Sequence, residues 1–324
     1  MTEFDLIARY FTRKPKQAAV GVGDDCAIIN SSPGTQLAIS GDMLGEGRHF
    51  FIDVSPYSLG HKALAVNLSD LAACGAKPVG FTLALALPRI DEAWLQEFSR
   101  GLWVLADAHG CELIGGDTTQ GPLNICITVF GEVPRGEALL RSGAQVGDDV
   151  YVSGTLGDAR LALEALQGKI KLPHEILVQA RQRLELPTPR VALGTALRGV
   201  ATSSIDISDG LAGDLGHILK ASGVGAEINT DVAIMLIAAR AGIDWDNGQF
   251  DAKKQLGMVL SGGDDYELAF TAPPAARQAV QAASASSQTP VTRIGVIQNE
   301  PGLRLVNGRG LPVDGQFASF NHFA

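Results

Sequence analysis

Six short segments of the chain share one design, an apolar stretch followed by aspartate with glycine or serine beside it. They are Gly23-Asp24-Asp25, Ser40-Gly41-Asp42, Asn67-Leu68-Ser69-Asp70, Gly115-Gly116-Asp117, Ile205-Asp206-Ile207-Ser208-Asp209-Gly210 and Gly262-Gly263-Asp264-Asp265. Hard oxygen donors of this kind suit magnesium, which is usually held by a few carboxylates together with substrate phosphates. Glycine beside them lets backbone approach a phosphate, and its N–H can cradle one. Carboxylates gathered without a cation repel one another and raise their pKa values. A bound Mg²⁺ removes that penalty and turns an acidic cleft into a polyphosphate site. Any one of these loops also reads as an ordinary turn, because Asp and Gly are turn residues. Recurrence is what points to chemistry.

Two of the segments carry more detail. Along Ile205-Asp206-Ile207-Ser208-Asp209-Gly210, alternation places Asp206 and Ser208 on one side of an extended strand. Asp209 sits at the turn, where it is either a ligand or the cap of the next helix. Asn67 and Asp70 are three apart on a predicted helix and share a face. A carboxylate in the last turn of a helix opposes the dipole and calls for a cation. The familiar nucleotide signatures are absent: no G-x-x-x-x-G-K-[ST], no G-x-G-x-x-G, and no H-R-D or D-F-G pair. These absences argue against a P-loop or protein-kinase fold.

The elements that must carry these loops follow from periodicity and punctuation. The Gly-rich run Val20 to Ile29 reads as a loop entering a strand, which would bury Cys26. Gln36 to Ser40 reads as a strand ending at Asp42. Ser55-Pro56 starts a helix that Gly75 stops, and Lys62 falls on it as a solvated face. Phe81 to Leu87 and Leu123 to Val133 read as strands, and Asp91 caps a helix ending at Gly110. Glu112 to Ile114 is a strand delivering Gly115-Gly116-Asp117. Beyond a turn-rich stretch from Pro134 to Asp149, strands are expected at Val150 to Gly154, Ser204 to Ile207, Tyr266 to Thr271 and Val291 to Ile297. Helices are expected from Gly157 to Gly168, from His174 to Leu186, up to Ser222 and from Ala275 to Ala283. The pattern is an α/β or α+β class. Two domains are expected, residues 1–136 and 137–324.

The composition fits a globular chain of this size: 324 residues, 46% hydrophobic and 19% charged. A formal net charge of −9 disfavours nucleic acid and anionic membrane as partners. The four cysteines, Cys26, Cys74, Cys111 and Cys126, show no metal-ligand spacing. With no secretory signal recognisable, a reducing cytoplasm is the expected compartment. The most apolar run is too short to span a bilayer.

Read together, Gly21-Val-Gly-Asp-Asp-Cys-Ala27, Lys62-Ala-Leu-Ala-Val-Asn-Leu-Ser-Asp-Leu-Ala72, Ile114-Gly-Gly-Asp-Thr-Thr119, Arg141-Ser-Gly-Ala144, Ile205-Asp-Ile-Ser-Asp-Gly-Leu211 and Ser261-Gly-Gly-Asp-Asp-Tyr-Glu-Leu268 resemble the thiamine-monophosphate kinase family. The resemblance runs in order from near Phe4 to His322-Phe323. It implies a two-domain aminoimidazole-ribonucleotide-synthetase-like fold, with N-terminal strands pairing across a homodimer. It implies ATP and thiamine monophosphate as substrates and Mg²⁺ as cofactor, with direct in-line transfer to the acceptor phosphate. The N-terminal domain would then bind ATP and Mg²⁺ and form the dimer. By the same resemblance, Asp25, Ser40, Gly41, Asp42, Asp70, Asp117, Asp206 and Asp209 take the metal positions. Gly116, Asp117, Arg141 and Ser208 take the ATP positions, and His49, Asp264 and Phe320 the substrate positions. Asp42, Asp117, Asp206 and Arg141 form the implied catalytic set. Three residues depart from the family pattern: Gly41 and Met43 stand where threonines are usual, and Asp264 where glutamate is usual. A non-catalytic nucleotide- or metal-binding protein and a related ATP-dependent synthetase are the alternatives. The latter would want a reactive cysteine near the first loop or at the C-terminus.

Overall fold

The structure is a computed structural model and describes residues 2–243, 245, 250–315 and 317. The chain divides into two compact units, one running up to Leu71 and over Ala76–Ala138, the other comprising Ala72–Gly75 and Leu139 onward.

The first unit contains α1 (Glu3–Leu6), β1 (Thr35–Gly45), α2 (Pro56–Ala73), β2 (Lys77–Leu87), α3 (Glu92–His109), β3 (Glu112–Gln120) and β4 (Asn124–Pro134). A single π-helical turn, Ile7–Phe11, follows α1. The sheet runs β1-β4-β2-β3. β4 is antiparallel to both β1 and β2, while β2 and β3 are parallel. The parallel pair requires a crossover, and α3 supplies it. Asp91 caps α3 by accepting from Trp94 N, and Gly110 closes it in the left-handed conformation. The two long helices approach closely through glycine. A Cβ on Gly60 would lie 2.0 Å from Phe98 O, and one on Gly101 2.0 Å from Tyr57 O. The core between helices and sheet is made by Leu64, Leu68, Phe98, Leu102, Phe81 and Ile127, all fully buried.

The second unit contains β5 (Asp149–Ser153), α4 (Asp158–Leu166), α5 (His174–Glu185), α6 (Val191–Ala196), β6 (Ser203–Asp206), α7 (Leu211–Ser222), β7 (Gly225–Asn229), α8 (Thr230–Ala233), α9 (Ala252–Leu260), β8 (Leu268–Ala272), α10 (Arg277–Ser286), β9 (Val291–Gln298) and β10 (Gly302–Val306). Its six strands are ordered β10-β7-β9-β5-β8-β6. Only β10 and β7 are parallel.

Three expectations need correction. The Val20 to Ile29 run forms no strand; it folds back on itself through isolated bridges, Val20 with Ile28 and Val22 with Asp24. Cys26 is consequently exposed rather than buried. Gly115-Gly116-Asp117 is not a loop beyond a strand but the middle of β3, which continues to Gln120. Lys62 does not lie on a solvated face, because α2 is covered along almost its whole length and the Lys62 side chain is buried with it.

Candidate active site

In the first unit, Ser40 and Asp42 of β1 meet the C-terminal part of α2. Ser40 and Asp42 alternate along β1 and project to the same face. Ser40 Oγ donates to Asp70 Oδ2 at 2.6 Å. The backbone N–H of Asp42 donates to Asn67 Oδ1 at 2.9 Å, and Asn67 Nδ2 in turn donates to Ala63 O at 2.9 Å. The i, i+3 pair Asn67 and Asp70 therefore grips two neighbouring positions of one strand. Asp70 lies in the last turn of α2, a turn that contains no basic residue, where a carboxylate opposes the helix dipole. Gly41 has no side chain, so the ligand atom it can offer is its carbonyl oxygen.

Asp117 is held on β3 opposite Ala84 and is exposed. The residue before it must be glycine. Gly116 has φ +145°, and a Cβ there would fall 1.9 Å from Leu83 O. Asp25 is exposed in the first loop, where its N–H donates to Asp24 Oδ1 at 2.8 Å. His49 follows the end of β1. Its Nδ1 accepts from Gly45 N at 3.0 Å, which assigns the neutral tautomer with the proton on Nε2. Lys62 Nζ reaches the carbonyl of His49 at 3.5 Å.

In the second unit, Asp206 ends β6 and is buried, while Ser208 and Asp209 are half-exposed in the turn into α7. Asp209 does not cap α7; Gly210 occupies the cap with no side-chain bond. The turn is organised by Asp214, from the first turn of α7, whose Oδ2 accepts from the backbone N–H groups of Ser208, Asp209 and Gly210 at 3.0, 3.0 and 3.1 Å. Burial pushes the Asp214 carboxyl up to about 7 against the pull of those donors, and the nearby Asp209 charge adds to the rise. Sequence reasoning missed Asp214; its signal was an acidic residue four places after the glycine of Ser208-Asp209-Gly210.

The turn is also bonded to the Gly-Gly-Asp-Asp segment. Asp264 N donates to Ser208 O at 2.8 Å, and Tyr266 N to Ile207 O at 2.9 Å. Asp264 and Tyr266 both have positive φ, 67° and 51°. Such strain in non-glycine residues persists where surrounding bonds fix it. Asp264 Oδ1 accepts from Tyr266 Oη at 3.2 Å. Behind this seam, fully buried Glu267 is paired with Arg183 and Arg190. Asp265 is buried against Gly157 N, accepting at 3.1 Å, and burial raises its pKa. Arg141 is exposed, and its carbonyl accepts from Ser222 Oγ at 3.3 Å. Phe320 lies outside the described residues, as do His322 and Phe323.

Among the described residues, no three His, Cys, Asp or Glu side chains form a ready-made cage. The donor set is nonetheless of the kind Mg²⁺ takes. Carboxylate and hydroxyl oxygens such as Asp42, Asp70 and Ser40 suit a hard cation that keeps water and phosphate oxygens in most of its positions.

Residues 23–133 match the AIR synthase related protein, N-terminal domain, and residues 145–307 the AIR synthase related protein, C-terminal domain. The thiamine-monophosphate kinase of Salmonella typhimurium is 46% identical over 99% of this chain and 98% of its own length. The chain belongs to the thiamine-monophosphate kinase family. It is therefore an enzyme of the phosphotransferase class. Among solved structures of this family, the thiamine-monophosphate kinase of Stenotrophomonas maltophilia is 42% identical, with a TM-score of 0.82 and coverage of 96% of each chain. AaThiL complexed with AMPPCP and TMP is 29% identical, with a TM-score of 0.77, covering 91% of this chain and 89% of that one.

Proposed function

We propose that this chain is a Mg²⁺-dependent kinase that moves the γ-phosphoryl group of ATP directly onto the phosphate of thiamine monophosphate, giving thiamine diphosphate and ADP. The observation that carries the reading is the grip of Asn67 and Asp70 on Asp42 and Ser40, which builds a preorganised oxygen-donor surface. The relative bound to AMPPCP and TMP supports the two substrates.

The acceptor phosphate has a second pKa near 6 and is already ionised at pH 7, so no general base is needed. An acceptor oxygen attacks Pγ in line with the bond to the β-phosphate oxygen, which breaks as the new P–O bond forms. The task of the protein is to align two polyanions and neutralise their charge. Bound Mg²⁺ would supply that neutralisation. In the first unit Asp25, Ser40, Asp42, Asp70 and Asp117 would take metal positions, with Gly41 restricted to its carbonyl, and in the second unit Asp206 and Asp209 would do the same. Gly116 brings the β3 backbone within reach of nucleotide, and Ser208 and Arg141 contact ATP, the arginine through its planar fork. His49 donates from Nε2 to the acceptor, and Asp264 is assigned to the thiamine part, as Phe320 is by family resemblance alone.

The first unit also favours a homodimer. Leu37, Ile39 and Met43 alternate along one face of β1 and are 48%, 60% and 58% exposed. A second copy covering this face would bury them. Among the described residues no helix is long and apolar enough to cross a membrane. We assign the enzyme to the cytoplasm, without nucleic-acid or membrane partners.

Purified protein incubated with ATP, thiamine monophosphate and Mg²⁺ should release ADP and form thiamine diphosphate in equal amounts, and a chelator should stop both. Retained ATP binding with no thiamine diphosphate would instead mark a binding protein.

A further inference from the structure

Three successive N–H groups, those of Ser208, Asp209 and Gly210, converge on one atom ahead of α7. Backbone donors gathered in this way before a helix make a nest for an anion, the usual means of cradling phosphate. Here the chain fills the nest with its own carboxylate. Asp214 is 4% exposed, and its Oδ2 takes all three donors. The opposite edge of the same turn is also engaged, with Ile207 O and Ser208 O accepting from Tyr266 and Asp264. The backbone at 208–210 therefore has no N–H left to offer a phosphate.

We propose that Asp214 is a positioning residue that turns a phosphate cradle into a cation-facing platform. With its amides occupied, the turn meets the nucleotide through the side chains of Ser208 and Asp209, which favours a metal-complexed polyphosphate over a bare one. The inference rests on the kinase reading only for the identity of that nucleotide.

The test is binding rather than turnover, so a failure to make thiamine diphosphate leaves it intact. AMPPCP affinity is measured by calorimetry with Mg²⁺ and with EDTA for the native protein, Asp214→Ala and Asp214→Asn. Removing the carboxylate frees the nest, so Asp214→Ala should bind metal-free AMPPCP better, and the ratio of the two affinities should fall by about tenfold or more. Asp214→Asn keeps an oxygen acceptor and should hold the ratio within about threefold of native. Asp158, which accepts from Ala238 N and Ala239 N elsewhere in the unit, provides the control. Asp158→Asn should lower stability without moving the ratio. Parallel losses of both affinities in Asp214→Ala would reduce Asp214 to a structural role and overturn the proposal. Amide exchange on the native protein needs no variant and no ligand. The amides of residues 208–210 should be protected in the free protein and change little with metal-free AMPPCP. Amides that are open in the free protein and become protected by metal-free AMPPCP would refute the filled nest.

Discussion

Asn67→Leu isolates the contact on which the first half of the site depends. The substitution keeps the branching and heavy-atom count of the side chain in a fully buried position, while its methyl groups remove the hydrogen bonds and add some bulk. Lost are the bond from Asp42 N to Asn67 Oδ1 and the bond from Asn67 Nδ2 to Ala63 O, each 2.9 Å. The Ala63 carbonyl lies within α2, so its loss is small. The Asp42 N–H loses an acceptor in a half-buried setting, and an unsatisfied donor costs about 1–3 kcal/mol. Thermal unfolding should therefore drop by about 3–10 °C. The kinetic effect should be larger in proportion, because β1 is then free to shift the Asp42 carboxylate, and a displacement of about 1 Å can cost roughly a hundredfold. We expect kcat/KM for ATP to fall about 10- to 100-fold and the Mg²⁺ requirement to rise, measured in a coupled ADP assay across Mg²⁺ concentrations. In an Asp42→Asn background the same change should cost little further activity, since the group it positions has lost its charge. If Asn67→Leu melted lower yet kept kcat/KM within twofold, Asn67 would be a packing residue with no part in placing Asp42.

Asp206→Asn should cut turnover by about a hundredfold or more and flatten the dependence on Mg²⁺; near-native rates at limiting Mg²⁺ would remove Asp206 from the ligand set. Ile39→Asp places a charge on the apolar face of β1 and should convert a dimer to monomers in sedimentation equilibrium, whereas an unchanged mass would place the dimer contact elsewhere. The Arg277 guanidinium, with that of Arg293, holds the buried Asp149 carboxyl below the usual carboxylate range. A depressed folded pKa gives stability that is present above the unfolded value, about 3.9, and is lost as pH falls through the lower folded value. Asp149→Asn should thus cost about 2 kcal/mol in urea unfolding at pH 7, a figure limited by the half-exposed arginines. The gap from native should begin to shrink as pH falls past about 3.9 and close below the lower folded value, and a gap that does not shrink on acidification would point to a cause other than charge.

Much of the frame was legible from local signals. Asp91 and Gly110 bound α3 because cap chemistry is written in single residues, and Pro56 and Gly75 frame α2 in the same way. The pairing of Asn67 and Asp70 followed from helix geometry alone, although their partner strand did not. Elements built from short segments were missed. The helix α6, Val191–Ala196, and the strands β7, Gly225–Asn229, and β10, Gly302–Val306, are five or six residues long and owe their form to neighbours rather than to periodicity. Gly115-Gly116-Asp117 read as a loop because glycine usually breaks strands, whereas here close contact with Leu83 requires it. Lys62 was misread because charge normally implies exposure, and only the covering of α2 by its neighbours shows otherwise. Asp214 escaped because its one signal, an acidic residue four places after a turn glycine, is slight beside the direction of the three amides that defines its role.

The bonds that join residues 207–208 to 264–266 also bear on engineering. A Cβ at Gly263 would stand 2.3 Å from Ser208 O, so any side chain introduced there pushes on the opposite segment. Transplanting the Gly-Gly-Asp-Asp stretch alone from another protein would disturb the turn at residues 207–208 at once. Grafts that exchange both stretches together, keeping their mutual bonds, are the ones expected to fold and function.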